Sequence, residues 1–131
     1  MGAWAEGSFD NDDAGDWVWE LEEAEDVSLL EEAFSAIIDN DDDLEAPDCS
    51  VAVAAAEVVA ALRQHPATNL PKEVQTFVSH VDSQPSESLI ASALAALKRV
   101  RTKSELQELW DSGANGEKWR QAIAELESRL R

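Results

Sequence analysis

Asp10, Asp12, Asp13 and Asp16 place four carboxylates close together near the N-terminus of this 131-residue chain. Carboxylate oxygens are hard ligands, so the spacing offers a site for Ca²⁺ or Mg²⁺ wherever the side chains converge. The same stretch also has a structural use. Asn11, Asp12 and Asp13 stand where side-chain oxygens and negative charge stabilise the free N–H groups that open a helix, and Trp4 and Phe9 can pin the preceding arm to a core. We adopt the structural use as the expectation and keep a divalent-cation-binding domain, built on these four aspartates, as the alternative. A second cluster puts Asp39, Asp41 and Asp43 at the first, third and fifth positions of an EF-hand loop. Leu44 then falls at position six, where the turn requires Gly, and Ser50 at position twelve, where a bidentate Glu should close the site, so a solvated loop is expected.

The remaining candidates are sparse. His65 and His80 are the only histidines, neither belongs to a His-Glu-x-x-His motif, and neither lies within four residues of Cys49. Cys49 reads as a small core residue near a helix start. Neither a base-activated nucleophile nor an acid–base pair can be assembled, so the expectation is a protein that is not an enzyme and holds no cofactor. Glu57 stands alone among apolar neighbours; burying a carboxylate costs several kcal/mol unless it is paired. The expected place for it is an exposed edge of its helix, with a Lys or Arg from the fifth helix as partner if it is buried. Trp19 lies off the apolar stripe of its own helix, beside Glu20, Glu22 and Glu23. An exposed Trp in an acidic field suits contact with a basic partner, because Trp is enriched among interface hot spots and draws cations to its ring face.

The bulk charge points the same way. The first basic side chain is Arg63, and the 62 residues before it carry 19 of the 28 carboxylates, so the net charge of −18 is an N-terminal property. Nucleic acid and anionic membrane surfaces are excluded as partners, since each is bound by neutralising its negative charge with Lys and Arg. A basic protein surface remains, or self-association in which Lys98 to Lys103 of one copy meets the acidic half of another. A composition of 44% hydrophobic residues with five Trp argues for a packed core. The single cysteine permits no internal disulfide, and with no signal-peptide pattern at the N-terminus a cytoplasmic setting is expected. The longest apolar stretch, residues 51–62, is interrupted by Glu57 and is far shorter than the ~20 residues of a membrane span.

Apolar residues recur at helical spacing almost throughout, and no run alternates as a half-buried strand would. The expectation is a single all-helical domain, residues 1–131: a compact bundle of about seven short helices behind an irregular arm, residues 1–9. Asp10 or Asn11 caps a first helix to about residue 24, with Ala14, Trp17, Val18 and Leu21 inward. Ser28 and Glu31 form a capping box for a second, with Leu30, Phe34, Ile37 and Ile38 inward. After a loop closed by Pro47, a third helix runs from residue 48 or 50 to about 64; it is apolar nearly all round, the mark of a central helix touched on several sides. A fourth helix following Pro71 buries Val74, Phe77, Val78 and Val81. A fifth, capped by Ser86, buries Leu89, Ile90, Ala93, Leu94 and Leu97. A short sixth starts at Ser104 with Leu106, Leu109 and Trp110, and a last helix from about residue 117 buries Trp119, Ile123, Leu126 and Leu130.

The opening string, Gly2-Ala3-Trp4-Ala5-Glu6-Gly7-Ser8-Phe9-Asp10-Asn11-Asp12-Asp13-Ala14-Gly15-Asp16-Trp17, resembles the start of a bacterial family known as domain of unknown function 4259. Ser104-Glu105-Leu106-Gln107-Glu108-Leu109-Trp110, with Trp119 beyond it, is similar to that family's C-terminal pattern. The chain departs from the pattern at Ala5, where Gly is more usual, and at Gly15, where a larger residue is common. The resemblance implies a small bacterial protein without established activity and supplies no catalytic residues. The functional expectation is therefore a non-enzymatic interaction module for a basic partner, an immunity or inhibitor protein being one version of it.

Overall fold

The computed structural model describes residues 12–24, 26–39, 46–63, 72–81, 84–102 and 116–131, and every regular element among them is an α-helix. In chain order these are α1 (Asp12–Glu23), α2 (Ser28–Ile38), α3 (Ala46–Leu62), α4 (Lys72–Val81), α5 (Glu87–Thr102) and α6 (Gly116–Leu130). The all-helical bundle expected from periodicity is the fold observed. The irregular arm and the short helix expected from Ser104 lie outside the described residues.

The organising element is α3. Ala, Val and Cys follow one another around its whole circumference, and from Ala52 to Leu62 every side chain is buried. The small alanines let neighbouring backbones approach, and α3 packs against all five other described helices. Outside it, α1 packs on α4, while α5 packs on both α2 and α6. Each outer helix buries a stripe at i, i+3, i+4 spacing: Trp17, Val18 and Leu21 on α1, Leu30, Phe34 and Ile37 on α2, Val74 and Phe77 on α4, Leu89, Ala93 and Leu97 on α5, and Trp119, Ile123, Leu126 and Leu130 on α6. Ala33, Ala96 and Val100 join these stripes, and Ile90, Leu94, Val78 and Val81 pack partly buried at their margins.

Three local details differ from the sequence expectation. Ile38 sits at the end of α2, past the last turn that faces the core, and is 40% exposed. The first turn of α2 is stabilised by Asp26, whose Oδ1 accepts from the Ser28 N–H at 2.9 Å; Ser28 is the first helical residue rather than the cap. Pro47 falls inside the first turn of α3 instead of closing the preceding loop, a position where its missing N–H removes no helical hydrogen bond. Ser86 does cap α5, its Oγ accepting from the Leu89 N–H at 3.1 Å.

Candidate functional site

On α1 the buried stripe dictates what faces outward. With Trp17, Val18 and Leu21 turned to the core, a residue between Val18 and Leu21 is carried to the opposite side of a 3.6-residue turn. Trp19 is the residue carried there, and it is 72% exposed, the largest exposure of any big apolar side chain among the described residues. Its surface neighbours one turn away are Asp16, Glu22 and Glu23, with Glu20 alongside, and all four carboxylates are exposed. No cation is interleaved with them on α1. The arrangement has no nucleophile. Physically it is a desolvatable ring inside a negative potential, which attracts positive charge and can bury aromatic area when covered.

The aspartate set proposed for a cation is only partly in view. Asp12 and Asp13 are backbone members of the first turn of α1 and Asp16 is an exposed residue of its second, while Asp10 lies outside the described residues. Among the described residues no group of three or more His, Cys, Asp or Glu side chains could hold a metal ion. Asp39 closes α2, its N–H donating to the Ser35 carbonyl at 2.9 Å; Asp41 and Asp43 lie outside the described residues, as does His65. His80 is exposed in the last turn of α4. Cys49 is fully buried in the first turn of α3, the core position expected of it.

Sequence reasoning misplaced Glu57. It is 2% exposed and sits mid-way along the central helix. Its partner comes from α6 and not from the fifth helix: Arg129 Nη2 donates to Glu57 Oε1 at 2.5 Å and Nη1 to Oε2 at 3.4 Å, a two-pronged contact. Arg129 Nε also donates to Glu125 one turn earlier on α6. Burial acts to lower the Arg129 pKa, but its hydrogen bonds to Glu57 and Glu125 and their charges raise it, and the net direction is upward. A second pair joins α6 to α5, where Arg101 Nε donates to the buried Glu127 at 3.0 Å. Both buried glutamates of the described residues are thus met by arginines, and both pairs hold α6 in place, so they are structural. The apolar surroundings of Glu57 in the sequence carried the signal for burial; the identity of its partner, 72 positions away, had none.

These features define a small all-helical domain with a strongly acidic surface. The chain belongs to the family described as domain of unknown function (DUF4259), whose model matches residues 2–122. The match ends within α6, ahead of Glu125, Glu127 and Arg129. No curated protein and no solved structure matches the chain. Among the described residues no helix is long and apolar enough to cross a membrane.

Proposed function

We propose that this protein is a non-enzymatic interaction module whose outward face of α1 binds a basic protein surface. The observation that carries the reading is Trp19, 72% exposed and ringed by Asp16, Glu20, Glu22 and Glu23 with no cation among them. Exposed single apolar residues are ordinary, but Trp combines large contact area with attraction for cations, and carboxylates around it raise the encounter rate with positive surfaces. The single, buried Cys49 suits a reducing, cytoplasmic setting for this activity. The test is affinity capture from the native host at low and physiological salt, with wild type beside a variant carrying Trp19→Ala, Glu20→Gln, Glu22→Gln and Glu23→Gln. A basic protein retained by wild type and lost from the variant supports the reading. Capture of no basic protein at either salt, or equal retention by both, overturns it.

A further inference from the structure

The strip around Trp19 has a shape as well as a charge. Gly15 precedes Trp19 by one helical turn, and helical side chains lean toward the N-terminus, so the Trp19 indole and the Gly15 backbone share one strip of the surface. Among the described residues, a Cβ added at Gly15 would meet nothing within 4 Å. The strip therefore presents an exposed ring, a half-buried glycine with open space at its Cβ position among the described residues, and carboxylates of Asp16, Glu22 and Glu23 one turn to either side. We infer that the partner places an arginine here, its guanidinium lying on the Trp19 ring over Gly15 and its N–H groups directed to the flanking carboxylates. This rests on the basic-partner reading above and specifies the contacting group. Arginine suits the strip better than lysine: its planar guanidinium stacks on aromatic faces, is weakly hydrated and donates in a fork that matches carboxylates, whereas an ammonium is compact and strongly hydrated. A second copy of the chain is a poor occupant, since two bodies of net charge −18 repel each other.

Hexa-arginine and hexa-lysine peptides carry equal charge and serve as probes, with affinities measured by titration calorimetry at one fixed ionic strength. Wild type is compared with Trp19→Ala, Gly15→Leu and the pair Glu22→Gln/Glu23→Gln. Gly15→Leu fills the open space while improving helix propensity, so its effect is not a loss of folding. The expected result is a preference of wild type for the arginine peptide that falls by roughly two- to fivefold in Trp19→Ala and again in Gly15→Leu, while lysine-peptide affinity barely moves in either. An arginine-to-lysine ratio unchanged in either of those variants overturns the arginine strip. If the glutamine pair nevertheless weakens both peptides, the basic-partner reading stands without it; if the glutamine pair weakens neither, that reading fails as well.

Discussion

Glu57 is buried against an arginine from another helix. Arg129 approaches it with two N–H groups from α6 and leaves neither charge stranded. Removing one member of such a pair leaves the other buried and uncompensated, which costs about 3–5 kcal/mol, whereas replacing both by apolar groups is often neutral or stabilising. Arg129→Met is therefore expected to lower stability by up to about that amount in urea melts, and adding Glu57→Leu to recover most of the loss. Equal stability of Arg129→Met and wild type would mean that the pair does not form. Gly15 gives the opposite sign. It lies inside α1 with open space where a Cβ would go, so Gly15→Ala is expected to stabilise by about 0.5–1 kcal/mol through helix propensity alone, read from the same melts.

At the scale of the elements, stripes were legible and ends less so. The inward residues of α1, α4, α5 and α6 follow from 3.6-residue spacing because burial of a helix face is periodic and each stripe is local in sequence. The centrality of α3 was legible for a related reason: a helix apolar on all sides has to be surrounded. Ends depend on which of several nearby polar groups reaches a free N–H. Ser28 and Asp26 were both in range of the start of α2, and the chain path settled on Asp26. That choice has a pH signature. The Ser28 N–H bond holds the Asp26 carboxyl below its ordinary pKa, so that bond's contribution is complete above the unfolded-state value and is lost as pH falls through the lower, folded one. In thermal melts between about pH 2 and pH 6, wild type should exceed Asp26→Ala at the upper end and converge on it at the lower; a constant difference would contradict this. For α5, Ser86→Ala should cost about 1 kcal/mol, since the Leu89 N–H loses its acceptor.

For the whole molecule, the acids that dominate the first 62 residues lie on the outside wherever their side chains are described on α1 and α2: Asp16, Glu20, Glu22, Glu23, Glu31, Glu32 and Asp39 are exposed. Among the described acids of this half Glu57 is the exception, and it is paired. A net charge of −18 on a small body destabilises it through self-repulsion, so added NaCl should raise the melting temperature by screening. Mg²⁺ and Ca²⁺ at matched ionic strength should raise it no further. A saturable extra rise would favour the aspartate site at Asp10, Asp12, Asp13 and Asp16. The binding face itself was half legible. The stripe of α1 told that Trp19 turns outward, but not that it stays 72% exposed, because that depends on where distant helices pack.

Calorimetric titration of the captured basic partner against wild type and Trp19→Ala at physiological salt decides whether α1 is the binding face. Since Trp19 is a surface residue, the substitution should leave the melting temperature nearly unchanged. Binding is expected to weaken by at least tenfold, the loss of an interface anchor. Equal affinity of the two proteins would contradict it.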